Sequence, residues 1–306
     1  MNRTRLLLAT AFVTSALALS ACGDGGDPLA APEGTPAASD TIVIGSADFA
    51  ENALLAEIYA GALSAKGVKV TKKLNIGSRE VYIAALKDSS IDLVPEYSGA
   101  FLHYLDPDST AATAKEVAAE LKEKLPAGIA MLTPSPAEDK DVLAVTKATA
   151  DKYSLTTISD LKPVAGEIVL GGPPEWKSRK QGVVGLRDLY GLNFKEFVPL
   201  DAGGTLTMTA LTNGQIQAGD LFSTDPGLVA NNLVALEDDK SLFAAENVVP
   251  LIKKAKLNDT ITTTLDAVSA KLTTEDLISM NAEAATGTNL SDIAKKWLAD
   301  AGISSQ

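Results

Sequence analysis

The chain is poor in the residues on which most catalytic and metal chemistry depends. Its 306 residues include one histidine, His103, and one cysteine, Cys22. A hydrolase triad needs a histidine beside its nucleophile, and a transition-metal site needs a cluster of histidines or cysteines. The sequence also has no Gly-x-Ser-x-Gly motif and no Walker phosphate loop. The sequence therefore predicts no catalytic residues, no metal site and no cofactor, so we do not expect an enzyme.

Positive charge is also scarce. Lysine and arginine together number 27 against 39 aspartates and glutamates, which gives a formal net charge of -12 at pH 7. Nucleic acids and anionic lipid surfaces are recognised through basic patches. The acidic balance therefore argues against a nucleic-acid partner, and we interpret it as an ordinary solvated surface.

Long apolar runs are absent except near the start of the chain. Arg3 and Arg5 precede a mostly apolar run over 6–19, and the sequence LSAC follows at 19–22, a pattern typical of a secretory signal with a lipobox. Because Cys22 has no partner cysteine, we expect it to be lipidated. The sequence predicts a lipoprotein signal peptide over 1–21 and a flexible tether over 22–40. The rest of the chain is then expected at the extracytoplasmic face of the cell membrane, held by lipid.

Beyond the tether, short β-branched runs alternate with amphipathic helical patterns. TIVIG at 41–45 predicts a strand, and apolar residues then recur at helical spacing over 54–63. IDLV at 91–94 predicts a buried strand that Pro95 is expected to end. This alternation predicts an α/β fold of mixed sheets flanked by helices. Ligands of such sheets bind beyond the carboxyl ends of strands, so a site is expected in certain loops. These are the loops after Ile44, Val94, Leu170 and Phe222.

Several loop motifs point to one family. The segments are GSADFAE at 45–51, NIGSRE at 75–80, IDLVPEYSG at 91–99, LTNG at 211–214, LFSTD at 221–225 and VALEDD at 234–239. Together they resemble the ProX-like substrate-binding proteins of ABC importers for glycine betaine, choline, carnitine and related osmoprotectants. The resemblance covers essentially the whole mature chain, and its overall appearance is that of an actinobacterial lipoprotein member.

The resemblance implies a two-lobed, class II periplasmic-binding-protein-like fold that closes on its ligand by hinge motion. It implies a first lobe made of 41–146 and 248–306 and a second lobe made of 147–247. The implied protein is a monomeric, lipid-anchored solute-binding lipoprotein. It would capture a small osmoprotectant-type solute between the lobes and deliver it to the permease and ATPase subunits of an ABC importer.

The family's ligands set a demanding requirement, because a quaternary ammonium has no N–H to donate and is held against aromatic faces. Tyr97 matches the family's cage tyrosine in the Pro-Glu-Tyr motif. Two other cage positions depart from the pattern. Asp141 and Val142 stand where the family commonly has Thr-Tyr, and Glu246 stands at the tyrosine of Pro-Pro-Tyr-Asn. Such a cage is expected to bind a bare trimethylammonium weakly.

Two explanations of the depleted cage remain open at this point. Either Phe49, Trp176 or Phe222 supplies the missing faces, or the cargo is one that uses hydrogen bonds, for which carboxylates suit a cation with N–H groups. The predicted ligand-binding residues are Asp48, Phe49, Arg79, Tyr97, Asp141, Phe222, Ser223, Thr224, Glu246 and Asn247. A second hypothesis is a ligand-binding sensor or accessory envelope lipoprotein whose cargo is not a quaternary ammonium.

Overall fold

The computed structural model of the chain describes residues 41–303. Over that range the chain forms two lobes, each built on one five-stranded sheet with helices packed against it. The predicted α/β architecture is thereby confirmed. Cys22, the signal peptide predicted over 1–21 and the tether predicted over 22–40 lie outside the described residues.

The strands are three to six residues long. They are β1 (Ile42–Gly45), β2 (Val70–Lys73), β3 (Leu93–Tyr97), β4 (Ile129–Met131), β5 (Asp141–Thr146), β6 (Val169–Gly172), β7 (Glu196–Pro199), β8 (Ala218–Phe222), β9 (Leu233–Ala235) and β10 (Val248–Lys253). The first sheet has the order β2-β1-β3-β10-β4 and the second has the order β7-β6-β8-β5-β9. Both sheets are mixed, because β10 runs antiparallel to β3 and β4, and β5 runs antiparallel to β8 and β9.

The helices cover the faces of these sheets. They are α1 (Ala50–Ala65), α2 (Arg79–Lys87), α3 (Ser98–Leu105), α4 (Ala114–Lys124), α5 (Lys147–Tyr153), α6 (Val183–Tyr190), α7 (Thr205–Thr212), α8 (Gly227–Ala230), α9 (Asp259–Lys271), α10 (Thr274–Ala285) and α11 (Leu290–Asp300). Short 3-10 helices occupy Ile158–Leu161, Ala165–Glu167, Pro174–Lys177 and Lys254–Lys256. The helix α1 is buried along most of its length, because it packs between the first sheet and the C-terminal helices α9 and α11.

Local sequence sets several helix ends. The side chain of Thr113 accepts a hydrogen bond from the Glu116 N–H, and the Glu116 carboxylate accepts one from the Thr113 N–H, which forms a capping box at the start of α4. Thr273 and Asp276 form the same arrangement at α10. The helix α6 ends at Gly191, whose φ of 72° lies in the left-handed region that glycine adopts without strain.

The chain crosses between the lobes twice. Ala137 lies in the core of the first lobe and Leu143 in that of the second, and the return lies between Leu242 and Ala244. Both crossings precede the boundaries predicted after residues 146 and 247. The first differs because β5 pairs with β8 and β9 of the second sheet, a pairing that the sequence of β5 alone does not specify.

Pro95 does not end the third strand, contrary to the sequence expectation. It lies inside β3 and stands directly opposite Pro250 of β10. Two prolines can face each other only where an antiparallel pair exchanges no hydrogen bonds. On the other side of β3, the pairing with β1 is at Leu93, so the missing N–H of Pro95 removes no hydrogen bond between these two strands.

Within residues 41–303, no helix is long and apolar enough to cross a membrane. Over the same range, no group of three or more His, Cys, Asp or Glu side chains is arranged to hold a metal ion.

Candidate functional site

The two lobes enclose a cavity of about 100 Å³. Its wall includes residues at the carboxyl ends of β1, β3, β6 and β8, the end of an α/β sheet at which ligands bind. This volume is smaller than the about 150 Å³ of an engineered apolar cavity that accepts benzene, which limits any ligand held there to a small solute. We refer to it below as the cleft.

Seven of the ten predicted ligand-binding residues line the cleft. They are Asp48, Phe49, Arg79, Tyr97, Asp141, Phe222 and Glu246. The loops that sequence reasoning singled out therefore meet at one place, with contributions from both lobes.

Ser223, Thr224 and Asn247 do not line the cleft, and their role in ligand binding stays a prediction. The Ser223 hydroxyl donates to Asp139 Oδ1 at 3.1 Å, and the Asn247 side-chain amide donates to the Ser135 carbonyl at 3.0 Å. Their polar groups are used to fasten the segments that connect the lobes. A sequence motif alone does not tell which side of a connecting segment faces the ligand.

Thr224 belongs to a hydrogen-bonded cluster around Glu51, a buried residue that sequence reasoning missed. Glu51 Oε1 accepts from the Tyr97 hydroxyl at 2.7 Å, and Oε2 accepts from Thr224 Oγ1 and Asn281 Nδ2, each at 2.6 Å. Glu51 therefore joins α1, β3 and α10 of the first lobe to the segment after β8. It also fixes the Tyr97 ring in the cleft wall.

The cleft also contains residues that were not predicted. They are Tyr82, Asp139, Glu175, Arg179, Gln181 and Asp220. Asp220 could have been predicted from the sequence, because side chains two residues apart on a strand lie on the same face and Phe222 is a predicted ligand-binding residue. Arg179 had no such signal, since it lies in an irregular segment after Pro174–Lys177.

The two positions at which the family pattern has a tyrosine, Val142 and Glu246, lie in different surroundings. Val142 pairs with Leu221 and packs with it in a small apolar cluster, outside the cleft wall. Asp141, one residue earlier, faces the cleft beside Phe222. Glu246 lines the cleft, so at this position a carboxyl group stands where the family pattern has an aromatic ring.

Aromatic faces nevertheless line the cleft. The rings of Tyr97 and Phe49 are 5.9 Å apart, and those of Phe49 and Phe222 are 5.1 Å apart, so a row of three rings runs from the first lobe to the second. Trp176 is buried in the wall of the second lobe. Both groups of rings can contribute cation–π contacts to a ligand, each of about 0.5–2 kcal/mol.

Arg79 is engaged by a buried carboxylate behind the cleft. Its Nε donates to Glu96 Oε2 at 3.0 Å and its Nη2 donates to Oε1 at 2.8 Å, while the Tyr82 hydroxyl donates to Oε2 at 2.7 Å. Burial opposes the charge of Arg79, but the charge and hydrogen bond of Glu96, together with Tyr82 and Glu246, raise the pKa of the guanidinium well above its ordinary value. The charge of Arg79 is therefore largely compensated within the first lobe.

Four carboxyl groups in the cleft have raised pKa values. Burial and the charge of Glu51 raise the pKa of Asp139 well above its ordinary value. Burial raises the pKa of Asp141, and burial together with the charge of Asp141 raises that of Asp220 well above its ordinary value. Burial raises the pKa of Glu246 to about 8. Trp176 Nε1 donates to Asp141 Oδ2 at 3.4 Å, whereas Asp220 Oδ1 and Glu246 Oε2 are buried with no partner among the described residues.

An ion pair closes the edge of the cleft. Arg179 of the second lobe donates from Nη2 to both carboxylate oxygens of Glu80 on α2, at 3.0 and 3.1 Å. The Glu80 side chain is 45% exposed, so water screens this pair more than the Arg79–Glu96 pair. The lobes are in direct contact here, and the structure is that of a closed cleft.

Comparison with known proteins points to the same family that the sequence motifs resemble. The family described as the substrate-binding domain of the ABC-type glycine betaine transport system matches residues 40–300. The chain is 30% identical over 232 residues to a glycine-betaine-binding protein of Pseudomonas aeruginosa, covering 71% of this chain and 73% of that protein. It is 28% identical over 296 residues to the carnitine transport binding protein OpuCC of Listeria monocytogenes, covering 91% and 90%.

Solved structures support the fold. A crystal structure described as a glycine betaine/carnitine/choline ABC transporter is 22% identical and has a TM-score of 0.68, covering 86% of this chain and 99% of that one. The two-lobed, class II arrangement implied by the sequence motifs is confirmed.

Proposed function

This chain belongs to the family of substrate-binding domains of ABC-type glycine betaine transport systems, and on that premise we propose that it captures a small osmoprotectant-type solute for an ABC importer. The proposed solute class is that of glycine betaine, choline, carnitine and related compounds. The observation that carries the proposal is the closed cleft, in which aromatic faces and carboxyl groups from both lobes surround a small cavity. The family is one of binding proteins and is not an enzyme class.

The residues that line the cleft come from both lobes, and this explains how the protein captures a solute. The first lobe supplies Tyr97 and Glu246, and the second supplies Asp141 and Trp176, so a bound solute gains its full set of contacts only when the lobes are closed. Binding therefore shifts the population from open to closed by the difference between the two affinities. The two crossing segments are the hinge on this account.

Tyr97→Ala tests the assignment of the cleft. We expect it to weaken affinity for the bound osmoprotectant by about two- to thirtyfold, because the cationic group loses an aromatic face that contributes about 0.5–2 kcal/mol. Tyr97→Phe keeps the face and should lose much less. The assay is a thermal-shift titration against glycine betaine, choline and carnitine, since a ligand at 100 times its Kd stabilises a fold by about 2.7 kcal/mol. Tyr153→Ala, outside the cleft in the second lobe, is the matched control. Unchanged affinity in Tyr97→Ala would refute the assignment.

The Glu80–Arg179 pair provides a test of closure. Exposed pairs contribute about 0.2–1 kcal/mol, so Glu80→Gln should weaken affinity by about two- to fivefold through a smaller closed population. The thermal stability of the ligand-free chain should change little. Asp188→Asn is the control, because it removes an exposed pair with Arg187 that lies within one lobe. Equal affinities of Glu80→Gln and Asp188→Asn, measured by the same titration, would argue against a role in closure.

We also propose that Cys22 anchors the chain to the extracytoplasmic face of the membrane. The support is the lipobox sequence, in which Cys22 is the only cysteine of the chain. Cys22→Ser should move the protein from the membrane fraction to the soluble fraction and abolish incorporation of labelled fatty acid. Ser39→Ala is the control. Membrane retention of Cys22→Ser would contradict the lipid anchor.

The partners in this proposal are the permease and ATPase subunits of an ABC importer. We propose that the chain acts as a monomer, because the cleft is complete within one copy. Light scattering on the detergent-solubilised chain should give the mass of one copy, and a stable dimer would contradict this part of the proposal.

A further inference from the structure

The cleft contains more acid than its own basic residues compensate. Arg79 is paired with Glu96 behind the cleft, and Arg179 is paired with Glu80 at its edge. Both partner carboxylates lie outside the cleft wall. Both guanidinium groups still lower the pKa of Asp141, but they are two basic side chains against the six acidic ones that line the cavity.

Three of these acids are close enough to influence one another. The charge of Asp141 raises the pKa of both Asp220 and Glu246. Asp141 and Asp220 come from the neighbouring strands β5 and β8 of the second lobe, whereas Glu246 follows the return crossing into the first lobe. The acidic group is thus formed from both sides of the cleft.

Two oxygens of this group have no hydrogen-bond partner within residues 41–303. Asp220 is 1% exposed and Glu246 is 6% exposed, yet Asp220 Oδ1 and Glu246 Oε2 accept no hydrogen bond among the described residues. Buried polar atoms are nearly always hydrogen-bonded, and leaving one unpaired is costly. Both residues line the cavity, so a ligand there is in position to supply the missing donors.

A fully methylated ammonium cannot supply them, because its nitrogen carries no hydrogen. We therefore propose, resting on the proposed role in solute capture for an importer and not on its quaternary ammonium examples, that the cargo is a cation with N–H donors, such as a primary or secondary ammonium or a guanidinium, that bridges Asp220 Oδ1 of the second lobe and Glu246 Oε2 of the first. Charge-assisted hydrogen bonds of this kind are about twice as strong as neutral ones. The bridge also provides a direct force for closure, since each lobe holds one acceptor.

A methylation series tests this inference with one variable. Ethanolamine, N-methylethanolamine, N,N-dimethylethanolamine and choline share one carbon chain and one hydroxyl while the number of N–H donors falls to zero. Glycine, sarcosine, dimethylglycine and glycine betaine form a parallel series, and agmatine represents a guanidinium. Thermal-shift titration of the full chain at about pH 8 should show affinity falling about tenfold or more from the N–H-rich to the fully methylated end of a series, or binding of agmatine.

Conservative variants connect that selectivity to the two carboxyl groups. Asp220→Asn and Glu246→Gln keep the shape of the side chain and should each weaken binding of the N–H-bearing probe about tenfold or more, with much less effect on choline. Glu275→Gln, on an exposed face of α10, is the control. If a variant does not fold, the wild-type series alone decides.

The possible outcomes distinguish a failure of this inference from a failure of the proposed function. Tightest binding of choline, glycine betaine or carnitine overturns this inference and leaves the proposed function standing. Saturable binding only of neutral hydroxyl compounds, such as sugars or phenols, overturns it as well. No binding by any cation or zwitterion overturns the proposed function together with the inference.

Discussion

Arg79→Ala is expected to lower the free energy of unfolding by about 3–5 kcal/mol, because it leaves a fully buried carboxylate without its charge partner. Glu96 is 0% exposed and receives two hydrogen bonds from the Arg79 guanidinium. The Tyr82 hydroxyl and the Tyr97 N–H remain as donors to Glu96 but bring no charge. For a typical domain this loss is a large part of the total stability of about 5–15 kcal/mol.

A urea-unfolding series measures this effect. Lys147→Ala is the control, because its pair with Asp151 lies on an exposed helix surface and should contribute less than about 1 kcal/mol. The double variant Arg79→Ala/Glu96→Gln should recover part of the loss, since it also removes the uncompensated charge. A loss below about 1 kcal/mol for Arg79→Ala would show that the pair is not buried as described.

Glu246→Gln is expected to stabilise the ligand-free protein, and to do so more strongly as the pH rises. Burial raises the pKa of Glu246 from 4.5 to about 8 in the folded chain. Between these values the folded state holds a proton that the unfolded state has released, so rising pH favours the unfolded state. The wild type should therefore lose on the order of 3 kcal/mol through this group between about pH 5 and pH 8.

Glutamine cannot ionise, so the variant escapes this loss. The charged groups that act on Glu246 are Asp141, Arg79 and Glu96, and they are retained in the variant. Urea unfolding at about pH 5, 6.5 and 8 should show the stability difference between variant and wild type growing with pH. Glu275→Gln controls for the loss of one acidic side chain at an exposed position. A difference that does not change with pH would contradict the buried position of Glu246.

The same titration affects binding. A cation is attracted to the ionised carboxyl group, so its affinity should rise as the pH increases toward about 8. Glu246→Tyr restores the ring of the family pattern. It should raise affinity for choline or glycine betaine if the remaining aromatic faces form a cage, and it should weaken binding of a cation that donates N–H groups.

Much of the fold could be predicted because its signals are local. The capping residues Thr113 and Thr273, the glycine at 191 and the alternation of strand and helix patterns each act within a few residues of the chain. The position of β5 could not be predicted in this way. Its assignment depends on pairing with β8, whose residues lie about 80 positions later, and a short apolar run does not encode its partner.

The site residues that could be predicted are those whose sequence motifs lie at the ends of strands. Asp48, Tyr97 and Phe222 follow or end β1, β3 and β8, so the fold brings them together. Arg179 was missed because it reaches the cleft from an irregular segment. The LFSTD motif also predicts Ser223 and Thr224 as ligand-binding residues, and in the structure their hydroxyl groups donate to Asp139 and Glu51 in the connection between the lobes.

The central claim is that the cleft between the lobes captures a small cation, and calorimetric titration of the unmodified chain tests it most directly. Choline and ethanolamine are each compared with the uncharged analogue in which carbon replaces nitrogen. The account predicts saturable binding, with one site per chain, for at least one of the two cations, and affinity lower by about tenfold or more for its carbon analogue. Equal affinity for an uncharged analogue, or no binding of either cation, would contradict the account.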